Sequence, residues 1–208
     1  MLASGPMRAA LVALAVAALA APAVAQPREG HLGQAMLSLR TAVGLRALVP
    51  YDGADYCGQS DPQTSSGNAA VCTGRAPMSL DLEAAYGVDR KVDLLLEVRL
   101  GLESDFGATA GSDGPRMFHF APGARFFFSD SPTMKLFTTG QLVIDFAGYD
   151  DVAGEGRGAD FGVRNMNGLW FDIKDNYSAY VYVGETLTLA RWLRFELEGG
   201  VGVAYRYP

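Results

Sequence analysis

Apolar and polar residues alternate at period two along most of the chain after residue 35, as in β-strands with one apolar and one polar face. The sharpest run is Val92 to Glu103, where Val92, Leu94, Leu96, Val98, Leu100 and Leu102 oppose Asp93, Leu95, Glu97, Arg99, Gly101 and Glu103. Before it, Met78 to Val88 sets Leu80, Leu82, Ala84, Tyr86 and Val88 against Ser79, Asp81, Glu83, Ala85 and Gly87. Only Asp89-Arg90-Lys91 separates the two runs, which predicts an antiparallel hairpin.

The same alternation predicts strands over Met36 to Val49, Met117 to Phe128, Met134 to Phe146 and Leu193 to Tyr207. Pro122 interrupts the fourth strand and predicts a bulge there, because a closed sheet has no edge for a residue without an N–H. Two further segments admit alternatives. In Phe161 to Ile173, turning Arg164, Gly168 and Asp172 inward turns Asn165 and Asn167 outward. In Tyr177 to Leu189, Glu185 shares parity with Val181, Val183 and Leu187, so either the strand is bulged or Tyr180 and Tyr182 form the outward set. The total is eight strands. The first, third and fifth connections are long, the second, fourth and sixth are short, and the short seventh leaves the pairing near the C-terminus open.

Glycines decide which face is inside. In the last strand Gly200 and Gly202 lie on the same side as Arg194, Glu196, Glu198 and Arg206, opposite Leu193, Phe195, Leu197, Val201, Val203, Tyr205 and Tyr207. A solvated face has little use for glycine, whereas a narrow, crowded lumen does. The charged face is therefore the interior and the apolar face meets lipid, so the expected fold is an all-β, eight-stranded antiparallel up-and-down transmembrane β-barrel. The inverted alternative, a soluble secreted barrel holding a ligand in an apolar cavity, would put Glu97 and Arg99 on the surface.

Residues 1–25 stand apart. Arg8, the apolar run Ala9 to Ala21 and Ala23-Val24-Ala25 have the layout of a cleaved secretory signal, and about 13 apolar residues are too few to span a bilayer as a helix. Residues 26–35 read as a short periplasmic lead-in and 36–208 as the barrel. Cleavage lowers the 17 basic residues to 16 against 23 acids, a net charge of about -7, which disfavours nucleic acid as a partner. Export also places Cys57 and Cys72 in an oxidising compartment, at either end of a Gly-, Ser- and Pro-rich stretch, so a disulfide closing the first long loop is expected. No histidine lies near enough to make them a metal site.

This pattern resembles the small outer-membrane β-barrel proteins of Gram-negative bacteria, of OmpA/OmpX-type size. The resemblance is most specific at the C-terminus, where Gly202, Tyr205 and Tyr207 take the glycine, hydrophobic and aromatic places of that family's assembly signal. Gly200 stands where the signal has a polar residue, and Pro208 follows the final aromatic. The resemblance implies insertion by the barrel-assembly machinery, surroundings of outer-membrane lipid and lipopolysaccharide, and a porin-like outer-membrane location. Phe126, Phe128, Tyr205, Tyr207 and Trp192 are the expected interfacial aromatics, with Phe128 and Tyr207 on the periplasmic side and Trp192 outside.

The expected interior polar network comprises Arg40, Arg46, Asp81, Glu83, Asp93, Glu97, Arg99, Glu103, Arg125, Asp145, Arg194, Glu196, Glu198 and Arg206, joined by Arg164 and Asp172 if their strand turns that way. Acids and arginines are nearly balanced, and arginine suits bidentate pairing with carboxylates. Eight strands leave a lumen that side chains can fill. The expectation is a plugged barrel acting as a structural or surface-interaction protein through its external loops, with a narrow ion or small-solute channel as the alternative. No catalytic residue, cofactor or metal site is expected. His119, near Ser112 and Asp113, reads as interior filling rather than a hydrolytic base, and Asp150, Asp151, Glu155 and Asp160 match no EF-hand spacing.

Overall fold

The computed structural model describes residues 30–50, 71–104, 116–129, 131, 133–146, 159–174, 176–190 and 192–207. Within them run eight strands: β1 (Ala35–Pro50), β2 (Cys72–Asp89), β3 (Val92–Ser104), β4 (Arg116–Phe127), β5 (Met134–Asp145), β6 (Asp160–Lys174), β7 (Tyr177–Thr188) and β8 (Trp192–Tyr207). Each pairs antiparallel with the next, and β8 returns to β1, closing the barrel. The short seventh connection simply joins neighbours, since β7 and β8 pair without a register shift from Tyr177↔Tyr205 to Thr188↔Arg194.

Alternation along each strand sends one set of side chains outward and the other into the lumen. Outward lie Leu37, Leu39, Leu82, Leu94, Leu96, Leu142, Val163, Val183, Leu197 and Val203, all exposed. The polar set is buried, including Arg40, Asp81, Glu83, Glu97, Arg99 and Arg125. Water as solvent would reverse this sorting. A barrel whose outer surface is apolar and whose charges face each other is built to stand in lipid.

Three local expectations need correction. β2 begins at Cys72, not Met78, because β1 continues to Pro50 and pairs Leu48 with Cys72. Pro77, a loop residue by composition, sits where the β1–β2 register shifts between Ala42↔Ser79 and Gly44↔Ala76. The bulge flips the parity of β2, so Ala76 is buried while Arg75 points out. Pro122 carries no bulge: it pairs with Leu96 in an unbroken β3 register, and toward β5 the ladder skips residues 121 and 122 and resumes in the same register. Gln141 patches that gap by donating from Nε2 to the Ala121 carbonyl at 3.4 Å.

The third correction concerns β7. It is unbulged opposite β8, yet Tyr180 and Tyr182 are buried and point inward. Glu185 is therefore on the outer face, directly across from Asn165. Arg164 is buried inside β6, and Asn165 and Asn167 face outward beside it. The tyrosines fit inside because of the glycines opposite. A Cβ on Gly202 would come within 2.3 Å of the Tyr180 ring, and one on Gly200 within 2.6 Å of the Tyr182 ring.

The signal segment 1–25, Cys57, Ser112, Asp113, Asp150, Asp151, Glu155 and the side chains of Cys72 and Trp192 lie outside the described residues. Asp160, last of the acidic set, opens β6, where its Oδ1 accepts from the backbone N–H of Phe161 at 3.0 Å and of Ala190 at 2.9 Å.

Candidate functional site

The lumen is filled by three tiers of side chains. At the level of the long connections, Arg46 of β1 pairs with Glu196 of β8, and Arg194 of β8 with Asp145 of β5. His119 Nε2 lies 3.3 Å from Asp145 Oδ2, close enough for charge interaction but without hydrogen-bond alignment.

The middle tier sets three guanidiniums against three carboxylates. Arg40 Nε is 2.8 Å from Asp81, and its Nη2 reaches Glu97. Arg99 pairs with Asp81 at 2.7 Å and forks onto Glu198 through Nη1 at 2.6 Å and Nη2 at 2.9 Å. Arg164 crosses from β6 to Glu97 of β3 at 2.6 Å, Glu198 of β8 at 2.9 Å and Asp81 of β2 at 3.3 Å. Gln141 Nε2 donates to Glu97 at 2.7 Å from β5. Strands on opposite sides of the ring thus share one set of ion pairs. Every one of these charges is almost fully buried, so each carboxylate depends on several donors to offset its lost hydration.

The third tier, toward the short turns, is partly aromatic. Arg125 pairs with Glu83 and lies over the rings of Trp170 at 5.0 Å, Phe137 at 5.5 Å and Tyr180 at 5.9 Å. Trp170 and Tyr180 stack at 4.8 Å. Below them Lys135 bridges to Asp172 at 2.8 Å, and Arg206 pairs with the same carboxylate. A turn of the lead-in closes this end. Gly30 and Gly33, at φ of 75° and 73°, let the chain reverse, and His31 enters the mouth 3.3 Å from Asp93 and 3.2 Å from Lys135. Gly87 makes room, since a Cβ there would stand 1.7 Å from the His31 carbonyl oxygen.

All residues of the expected interior set are buried except Glu103 and Asp172, which is partly exposed at the short-turn mouth. Glu103 sits at the rim, half-exposed, and pairs with exposed Arg75 at 2.6 Å. Its carboxylate also accepts the Met78 N–H at 3.1 Å, satisfying a donor loosened by the β2 bulge, a role that strand parity alone does not show.

Sequence reasoning put Gln141 on the inward face of the fifth strand with Thr139 and Asp145, where it lies, and missed Lys135, His31 and the rings of Phe127, Phe137 and Trp170. Lys135, Phe137, Thr139 and Gln141 share one parity of β5, and all four are buried, so the strand's own alternation could have found Lys135. The signal for His31 is its position between Gly30 and Gly33. Of the three residues expected to form an assembly signal, Gly202 is the socket for Tyr180, while Tyr205 and Tyr207 face outward with ring centroids 4.7 Å apart.

Solved structures share this architecture at low sequence identity. The N-terminal β-barrel domain of Pseudomonas aeruginosa OprF matches with a TM-score of 0.54 and 13% identity over 85% of this chain and 98% of that one. Neisserial surface protein A matches with a TM-score of 0.53 and 14% identity over 81% of this chain and 97% of its own. The outer membrane protein AlkL, solved in lipid bilayers, matches with a TM-score of 0.51 and 9% identity over 90% of this chain and 96% of that one. No family model matches the sequence, and no curated protein matches it. The fold is that of the small eight-stranded outer-membrane β-barrels: closed, all-antiparallel and up-and-down.

Proposed function

We propose that the chain works in the outer membrane as a plugged barrel, a structural or surface-interaction protein whose contacts are made by its long connections. The observation that carries this reading is Arg164, which reaches from β6 across the lumen to carboxylates on β2, β3 and β8. An ion moving along the axis would have to part these pairs, and parting a buried pair leaves charges uncompensated. His31 and its glycine turn add a stopper at the short-turn end.

In this reading residues 1–25 are the cleaved export signal, and Gly202, Tyr205 and Tyr207 are read by the barrel-assembly machinery. A Cys57–Cys72 disulfide braces the first external loop. The stretches 51–70, 105–115 and 147–158 supply the surface that meets lipopolysaccharide or environmental ligands. Chain length supports that role: these connections are long, whereas those at the other end turn within a few residues.

The test is planar-bilayer conductance of refolded protein whose gel mobility shifts on boiling. Folded protein is expected to give no steady conductance. A reproducible single-channel current would replace the plug with a narrow ion channel, with Glu97, Arg99, Arg194 and Glu196 as the groups setting its selectivity.

A further inference from the structure

The outer face of β5, β6 and β7 departs from the rest of the barrel. Thr138, Asn165, Asn167 and Glu185 point outward there as one contiguous patch, through the register pairs Thr138↔Asn167 and Asn165↔Glu185. The patch is not at a rim. Along the same strands Val163 and Phe161 lie beyond it on one side and Val181 on the other, while Val183 stands beside Asn167 at its edge, all exposed. Away from strand ends, Glu185 is the one outward carboxylate among the described residues, and it makes no hydrogen bond or ion pair there.

The amides are already half-organised. Asn165 Nδ2 donates to the Thr139 carbonyl at 3.2 Å, and Asn167 Nδ2 donates to Asn165 Oδ1, which leaves the Asn167 carbonyl and its second N–H facing out. A carboxylate and an amide held toward hydrocarbon lose water and gain nothing from lipid. Their need is met when a neighbour presents the complementary groups.

We infer that this patch is a self-association surface and that its occupant is a second copy of this chain, side by side in the bilayer. Two copies inserted in the same direction are related by an axis along the membrane normal, so a group in one copy meets groups at its own depth in the other. Acceptor and donor stand about 7 to 8 Å apart here, within side-chain reach, because Glu185 and Asn165 are register partners and Asn167 follows two residues on as the diagonal neighbour. The two-fold therefore sets Glu185 of one copy against the Asn167 amide of the other, twice. Small residues flank the ridge and permit close approach: a Cβ on outward Gly140 would meet nothing within 4 Å, and one on Gly199 only the Tyr182 carbonyl oxygen at 3.7 Å.

The inference rests on the membrane reading above, and the experiment separates the two. Two differently tagged full-length copies are refolded together into phosphatidylcholine vesicles over a range of protein-to-lipid ratios, solubilised mildly and co-captured. Wild type is expected to co-capture. Glu185→Leu and Asn167→Leu are each expected to lower association at least tenfold while keeping the boiling-dependent gel shift, and Leu39→Ala on the opposite wall should leave association unchanged. A gel-shifted wild type that stays monomeric at every ratio, or a Glu185→Leu variant that associates like wild type, would overturn the dimer alone. Wild type with no gel shift would overturn the membrane reading and the dimer with it.

Discussion

The wall formed by β1, β2 and β3 and the wall formed by β6 and β7 are both antiparallel, but polar and apolar residues are sorted between faces cleanly in the first and only in part in the second. In the first, leucines point out and Arg40, Asp81, Glu97 and Arg99 point in. In the second, Trp170, Tyr180 and Tyr182 point in, while Asn165, Asn167 and Glu185 point out. Hydrophobicity therefore does not assign a residue to a face. Register assigns it, and hydrophobicity agrees with register most fully where the lumen is filled by salt bridges. Where rings fill the lumen, the polar–apolar contrast between faces weakens or reverses.

The sharpest way to test that contrast is to remove the one charge the second wall sends into the first. Arg164→Leu leaves Asp81, Glu97 and Glu198 short of a donor in the middle tier. We expect a loss of about 3 to 5 kcal/mol in the unfolding free energy, read by urea titration in lipid or detergent. A loss below about 1 kcal/mol would mean that the two walls are energetically independent.

Next in size is Leu96→Arg, on the outer face of β3. A cation at mid-strand facing lipid is expected to cost about 2 to 4 kcal/mol in the same titration. Unchanged stability in lipid would mean that the first wall's outer face is not lipid-facing.

The smallest of the three effects is at the seam between rings and glycines. Gly202→Val drives side-chain atoms into the Tyr180 ring, with an expected cost of about 1 to 3 kcal/mol. Tyr180→Ala in the same chain should recover part of it, and a double-mutant cycle measures the coupling. Strict additivity would show that the glycine serves some purpose other than receiving the ring.

The clean wall was legible because its two faces differ in kind. In β3 every second residue is apolar, and the opposite set includes Asp93, Glu97 and Arg99, so both period and direction can be read. In β7 the period can be read but the direction cannot, since Tyr180 and Tyr182 are as compatible with lipid as Val181 and Val183. The missing information lay on the neighbouring strand: Gly200 and Gly202 are spaced two apart, as are Tyr182 and Tyr180, and the register sets each glycine opposite a ring.

Other misreadings share this origin. Pro77 looks like loop by itself and becomes strand because β1 is long enough to pair with the residues before it. Pro122 looks like a bulge and is instead a skipped stretch of ladder patched by Gln141 from β5. His31 belongs to the lumen because Gly87, 56 positions away, leaves space for its backbone.

The meeting of β1 with β8 has a consequence for the order of events in time. Glu198, the carboxylate that both Arg99 and Arg164 reach, rides on β8, and so do the two glycine sockets for the β7 tyrosines. Pairing of β8 with β7 seats the rings, and zipping the final seam to β1 removes two raw edges and completes the charge balance. A chain stalled before Trp192 is an open ribbon with two half-compensated guanidiniums and no place for Tyr180, a species that hydrocarbon rejects. Membrane entry and seam closure are thus tied together, because open edges and uncompensated charges persist until β8 meets β1.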